Sequence, residues 1–296
     1  VIPTTTTGGA ASQETAGERL RYLFVLSRPR FWLYLAGPVA VGAVYGAATL
    51  ADLAEPVLLV LFAYFLVPAN VFLYGINDVY DAEIDAENPK KDDGGREARW
   101  EGQRFVVYAV TVCGALAIPI ALLLPRAAWL WIGLFVLLGA EYSAPPARFK
   151  TTPVLDSLSN GLYVVPAMAA YATVAGAQPP LLAVAGAWCW AMAMHTFSAI
   201  PDIDPDRRAG IRTTATLLGE RATYAYCTVV WGLAAVAFGL LDPRLGVVFA
   251  VYPMLVAGIG LSSVPVDRAY WWYPTINTIV GAVLTMGKLW QIAPPF

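Results

Sequence analysis

Long apolar stretches parted by short polar runs organise this chain, at 31–50, 56–76, 105–124, 127–140, 153–175, 181–200, 223–240, 245–261 and 270–289. Wound as helix at about 1.5 Å per residue, a stretch of about 20 residues crosses a hydrocarbon core about 30 Å thick. The pattern predicts an all-α integral membrane protein with nine transmembrane helices. The fourth stretch, between Arg126 and Glu141, is the shortest. Parity follows from the basic residues. With the N-terminus cytoplasmic, sixteen of the nineteen Lys and Arg fall on the inner side and only Arg126, Arg244 and Lys288 on the outer, as the positive-inside bias requires. Removing the fourth span inverts everything after it and destroys that bias. The expected location is therefore the cell membrane, multi-pass, with the N-terminus cytoplasmic and the C-terminus extracellular. Outer loops are terse, whereas the inner loops after spans two, four and six are long and carry most of the unusual polar residues. Polar chemistry confined to one face suits an enzyme, or a receptor for a cytoplasmic solute, better than a through-channel.

Composition agrees with the bilayer as solvent: 58% of the 296 residues are apolar and 14% charged, which excludes a compact water-soluble enzyme. A net charge of -2 supplies no basic field to attract nucleic acid. Cys113, Cys189 and Cys227 lie inside apolar stretches without a CxxC spacing and read as inert buried thiols. The Thr-, Gly-, Ala- and Ser-rich start reads as a disordered lead-in and not a signal peptide. Residues 1–20 are expected to be disordered and 21–296 to form one transmembrane domain.

Candidate chemistry sits at two inner span ends. In NDVYDAEID, Asn77, Asp81 and Asp85 stand four apart and share one helix face. Like charges so placed repel and need a cation to offset them. In PDIDPDRRAGIRTTATLLG, Asp202 and Asp206 repeat the spacing. Carboxylates and an amide oxygen are hard ligands, and coordination sites left open for phosphate oxygens point to Mg²⁺ in place of Ca²⁺. The plainer reading is that each cluster merely keeps a span end hydrated. Lys90 and Lys91 follow the first cluster, and Arg207, Arg208 and Arg212 follow the second. Arg148 and Lys150 close the loop EYSAPPARFK. All fit the positive-inside bias, yet beside metal-binding aspartates they would complete a diphosphate clamp. An apolar membrane pocket capped by such a clamp suits a substrate with a hydrocarbon tail. An allylic tail carries the cation left when pyrophosphate departs, and exclusion of water protects it until an electron-rich acceptor attacks.

These residues resemble the UbiA-type intramembrane prenyltransferases. The family's N-x-x-x-D-x-x-x-D is similar to Asn77, Asp81 and Asp85, and its D-x-x-x-D to Asp202 and Asp206 with trailing Gly210, Thr213 and Thr214. Its tyrosine-to-lysine loop is similar to Tyr142 through Lys150, and its early Arg-Pro to Arg28 and Pro29. The resemblance implies nine helices around a central cavity, two Mg²⁺ ions held by Asn77, Asp81, Asp85, Asp202 and Asp206, and an opening toward lipid. It also implies a catalytic role for Tyr142 and diphosphate contacts from Arg28, Lys91, Arg148, Lys150, Arg208 and Arg212. Soluble trans-prenyl synthases share aspartate-rich motifs, but nine spans argue against them.

Residues 195–227 and NDVYDAEIDAENPKKD look like the carotenoid branch, the lycopene elongases of haloarchaea and actinobacteria. That likeness implies transfer of five-carbon units from dimethylallyl diphosphate to the ends of lycopene or a related carotene, with hydration in the haloarchaeal form, on the route to bacterioruberin. Ala199 departs from branches that carry an upstream acid there, and Pro201 and Pro205 argue against an unbroken helix through the second motif. Quinone, chlorophyll, haem or glyceryl-phosphate acceptors would keep both motifs. A cation-coupled transporter is the reading outside enzymes, and the lack of a polar gate on the outer side counts against it. His195 reads as packing between helices or as a proton shuttle, and Tyr142 as an interfacial anchor or a diphosphate contact. Asp78 and Asp204 lie off the motif faces. Trp129, Trp131, Trp271, Trp272 and Tyr273 read as interfacial belts.

Overall fold

The computed structural model describes residues 15–82, 100–262 and 264–293, and within them the chain is all α with short 3₁₀ turns. Asp85, Lys90 and Lys91 lie outside the described residues. The first helix, α1, is Ala16–Leu26. A reciprocal capping box starts it: Thr15 N donates to Glu18 Oε2 at 2.7 Å, and Glu18 N donates to Thr15 Oγ1 at 3.2 Å. The expected disorder boundary at residue 20 therefore falls inside a helix, whose start the Thr-x-x-Glu pattern encodes.

The spans follow as α2 (Trp32–Gly46), α3 (Pro56–Leu66) with α4 (Pro68–Tyr80), α5 (Arg104–Ala115) with α6 (Ala117–Leu123), and α7 (Arg126–Ser143). Next come the one-turn α8 (Leu155–Leu158), α9 (Val165–Ala175), α10 (Leu181–Ser198), and the short α11 (Ile203–Arg208) and α12 (Thr214–Leu218). The chain ends with α13 (Glu220–Leu241), α14 (Pro243–Gly260), α15 (Val266–Tyr270) and α16 (Tyr273–Ile292).

Five stretches among the described residues are long and apolar enough to cross a membrane: Pro56–Tyr80, Arg104–Leu123, Leu181–Arg208, Glu220–Leu241 and Pro243–Gly260. The other four expected spans are shorter or more polar. Helix α2 has 15 residues, and α7 carries Arg126 and Glu141 near its ends. The 153–175 stretch is broken into α8, a 3₁₀ turn at Ser159–Tyr163 and α9. Helix α16 is interrupted by Asn277, Thr278 and Lys288.

Proline breaks the second span between α3 and α4. Pro68 has no N–H to continue the ladder, and the freed carbonyls lie in an apolar interior. Asn70, fully buried, takes both: its Nδ2 donates to the Phe65 and Leu66 carbonyls at 3.0 Å each.

Lipid tails are as apolar as leucine, so close backbone contact, more than the hydrophobic effect, holds such helices together. Helix α2 packs on α3, α9 and α16; α9 on α7; α7 on α4; α4 on α5. At the α2–α9 crossing, a Cβ added to Gly42 would stand 1.9 Å from the Ala167 carbonyl oxygen, so only glycine allows this approach. Helix α10 links this half, with its core of Leu35, Phe65, Phe135 and Val165, to the α13–α14 half. The second core stacks Phe197, Trp231, Tyr252 and Tyr273. Leu59, Leu122, Leu240 and Met254 point outward, exposed, as a lipid-facing surface requires. Of the five expected belt aromatics, Trp129, Trp271 and Trp272 are exposed, but Trp131 and Tyr273 are buried. Trp131 belongs to the first core, and its Nε1 donates to Gln178 Oε1 at 2.8 Å.

Candidate active site

Helix α4 ends at Tyr80 with Asp81 as its C-cap residue, whose N–H still reaches the Asn77 carbonyl at 2.9 Å. Asn77 and Asp81 therefore keep the one-turn relation that their spacing predicts. The loop after α7 folds back over this end. Ser143 Oγ donates to Asn77 Oδ1 at 2.9 Å, and Lys150 Nζ donates to the same oxygen at 3.1 Å. Lys150 also forms a short ion pair with Asp81 Oδ2. Arg148, in the left-handed region at φ 42°, places Nη2 3.2 Å from Asp81 Oδ1 and 3.4 Å from the Tyr80 carbonyl. Asp81 is only 9% exposed, so two cations offset a carboxylate that burial alone would destabilise. The Nε of Arg148 is buried without a hydrogen-bond partner among the described residues. It is a donor suited to an anion.

This arrangement bears on metal binding. Asn77 Oδ1 and Asp81 Oδ2 converge on one cationic centre, the Lys150 ammonium, and both are hard oxygen donors of the kind Mg²⁺ takes. The donor chemistry fits. Among the described residues no three His, Cys, Asp or Glu side chains gather into a metal-holding group, and Asp85 lies outside them.

Arg28 is engaged differently from the other expected diphosphate ligands. Its Nη2 lies 3.5 Å from Asp78 Oδ1, and its guanidinium stands 4.6 Å over the Tyr74 ring. Asp78, 1% exposed, is thus part of the polar core beside the motif although it lies off the Asn77 face. The second motif is kinked as its prolines predict: Ile200–Asp202 is a 3₁₀ turn and α11 begins at Ile203. Asp202 and Asp206 each make polar or electrostatic interactions, and Asp202 is within electrostatic reach of Tyr270. Arg208 and Arg212 are exposed and contact none of Asp81, Asp202 or Asp206 among the described residues, because the short α11 turns this segment outward. Arg207 caps its neighbour, donating to the Thr216 carbonyl at 2.7 Å. Tyr142 packs edge-on against His195, with ring centroids 6.1 Å apart.

A buried node of Asp156 and Thr214 ties the loop after α7 to the tail of the second motif. Asp156 is fully buried and accepts from Thr214 N at 3.0 Å and, in a short bond, from Thr214 Oγ1. Val154 N donates to the same Thr214 hydroxyl at 2.8 Å, which helps hold Val154 in a left-handed conformation at φ 72°. The loop bearing Lys150 is thereby pinned to the tail of the second motif. An acid inside the apolar 153–175 stretch was the available signal.

An apolar groove of about 770 Å³, lined by Phe72, Ile76, Tyr80, Ile118, Gly133 and Ala144 among others, opens on the lipid side between α4, α5–α6 and α7. It reaches Tyr80, the residue before Asp81.

Known proteins are similar to this chain in sequence and in fold. A protein of Haloferax volcanii named lycopene elongase/hydratase is 63% identical over 278 residues, 93% of this chain and 91% of its own. One of the same name from Halobacterium salinarum is 61% identical over 272 residues, 92% of this chain and 98% of its own. In fold, the chain is similar to a UbiA homologue from Archaeoglobus fulgidus solved with DMAPP and Mg²⁺, at TM-score 0.67 and 20% identity over 91% of this chain and 99% of that one. The UbiA prenyltransferase family profile matches residues 35–284, and the chain, an all-α membrane bundle, belongs to the UbiA prenyltransferase family.

Proposed function

We propose that this chain is a Mg²⁺-dependent prenyltransferase that adds five-carbon units from dimethylallyl diphosphate to the ends of lycopene or a related carotene. The observation that carries the chemistry is the buried Asp81, placed beside Asn77 at a span end and offset by Arg148 and Lys150. High identity to relatives named lycopene elongase/hydratase along nearly the whole chain supports the acceptor. The lipid-side groove that reaches Tyr80 is an apolar approach suited to a substrate without polar groups.

In this reading the chain from α1 onward forms one domain of nine spans around a central cavity, with the N-terminus cytoplasmic and the C-terminus outside. Asn77, Asp81 and Asp85 of the first motif, with Asp202 and Asp206 of the second, hold two metal ions. Mg²⁺ bound by these residues would supply the positive charge that offsets departing pyrophosphate. Arg148 and Lys150 leave Asp81 to meet diphosphate oxygens, joined by Lys91 and Arg28, while Arg208 and Arg212 meet the diphosphate only if the segment after α11 closes over it. Tyr142 holds the allylic unit near the motif. The bundle excludes water from the allylic cation until the terminal double bond of the carotene attacks it, leaving a tertiary cation on the acceptor. Extraction of pigments from lycopene-producing cells expressing this chain tests the proposal. Carotenes lengthened by five and ten carbons are expected, and unchanged lycopene beside well-expressed protein contradicts it.

A further inference from the structure

The tertiary cation left on the acceptor has two fates, loss of a proton or capture of water, and capture requires water at a defined place inside an apolar bundle. The second core contains polar groups that apolar packing does not explain. Asn277 lies one turn past Tyr273 on α16. Its Oδ1 accepts from Tyr252 OH at 2.9 Å, a good bond. Its amide reaches Tyr34 OH, its one oxygen acceptor among the described residues, at 3.5 Å, long for N–H···O, and otherwise donates to the weak acceptor Met194 Sδ at 3.7 Å. Around this centre, Trp231 stacks on Tyr252 at 5.5 Å and on Tyr273 at 6.0 Å. Trp231 Nε1 and Tyr273 OH are both buried donors without a hydrogen-bond partner among the described residues. Unserved donors are rare in protein interiors and rarer where lipid surrounds the bundle. A water molecule needs two to four polar partners in an enclosed site, and Asn277 Nδ2, Tyr252 OH and Tyr34 OH supply three.

The nest also communicates with the site. Tyr34 stacks on Phe31 at 5.5 Å, Phe31 meets Tyr74 at 6.4 Å, and Arg28 lies over Tyr74. A run of aromatic rings joins Tyr34, beside Asn277, to the Arg28–Asp78 pair.

We infer that Asn277, with Tyr252 and Tyr34, holds the water that hydrates the acceptor, an inference that rests on the lycopene-elongating reading above. The terminal double bond supplies the electron pair for the new carbon–carbon bond, and the adjacent tertiary carbon becomes cationic. A lone pair of the held water then forms the C–O bond. The proton released passes to the pyrophosphate set free in the same turnover, so no oxidant or reductant is needed. Asn277 is a positioning residue: it acts through the water.

The test uses the full chain in lipid nanodiscs with Mg²⁺, lycopene and dimethylallyl diphosphate in H₂¹⁸O, comparing wild type, Asn277→Leu and the near-isosteric Tyr252→Phe. Wild type is expected to give ¹⁸O-labelled hydroxylated product. Both variants should keep total five-carbon addition within about twofold, while the hydroxylated share falls about tenfold or more in Asn277→Leu and the alkene share rises. A role in helix packing alone would lower the amount of folded protein and leave that ratio unmoved. An unchanged ratio, or loss of elongation in both variants, overturns the inference. X-ray radiolytic footprinting, which oxidises side chains beside bound water, reads the site without turnover. Oxidation of buried Tyr252 and Trp231 in wild type that drops in Asn277→Leu supports the water site even if lycopene is not elongated, in which case the acceptor reading alone fails. No oxidation of either residue in wild type overturns the site itself.

Discussion

In the proposed reaction the diphosphate chemistry would turn on Asp81, whose buried charge is offset by Arg148 and Lys150. Asp81→Ala, and likewise Asp202→Ala, should lower turnover by about a hundredfold or more at saturating Mg²⁺ while the protein stays folded. Near-normal turnover by either variant removes that residue from the metal site. Thr214→Val tests the buried node: it removes a hydroxyl donor from Asp156 and should cost about 1–3 kcal/mol, read as a lower unfolding temperature in micelles. An unaltered transition would mean that Asp156 is satisfied elsewhere. The difference between these residues is also one of legibility. Asn77 and Asp81 could be read from the chain because their relation is one helical turn, a local periodicity that survives the helix end. Asp156 and Thr214 are partners 58 residues apart, and no local pattern announces such a pair. Asp78 lies off the Asn77 face and reads as a support beside the motif, not a metal ligand; its partner Arg28, 50 residues earlier, is what no local pattern announces.

The kink at Pro201 and Pro205 was legible because proline acts locally, whereas the helix start at the Thr15 capping box lies inside the stretch expected to be disordered. The break at Pro68 escaped the hydropathy pattern because apolar composition continues across it. What preserves the span there is a side chain, and Asn70→Leu should destabilise the protein by about 1–3 kcal/mol by leaving the Phe65 and Leu66 carbonyls unpaired in an apolar core. Thermal unfolding of the purified variant checks this, with no change in midpoint as the contrary result. The inward positions of Trp131 and Tyr273 were equally hidden, since an aromatic at a span end fits an interfacial belt and a helix–helix core alike until its neighbours are known.

At the scale of the whole molecule, the all-α multi-pass architecture was legible from hydropathy because the bilayer admits few alternatives, whereas the number of spans rests on four helices that are short, broken or polar. A reporter fused after Asp93 should behave as cytoplasmic and one fused after Phe296 as external. Finding both on one side refutes the odd number of crossings. Acceptor choice is the least local property of all. A carotene offers almost no polar contacts, so selection rests on apolar length, where each buried CH₂ contributes only about 0.8 kcal/mol. The carboxylate of a phenolic acid would enter that channel unpaired at a cost of several kcal/mol. The most direct measurement is therefore a side-by-side assay of purified protein with lycopene and with 4-hydroxybenzoate, each offered dimethylallyl and geranylgeranyl diphosphate with Mg²⁺. Lycopene lengthened by five-carbon units from dimethylallyl diphosphate, with hydroxybenzoate untouched, is the predicted result; prenylated hydroxybenzoate with no elongated lycopene would contradict it.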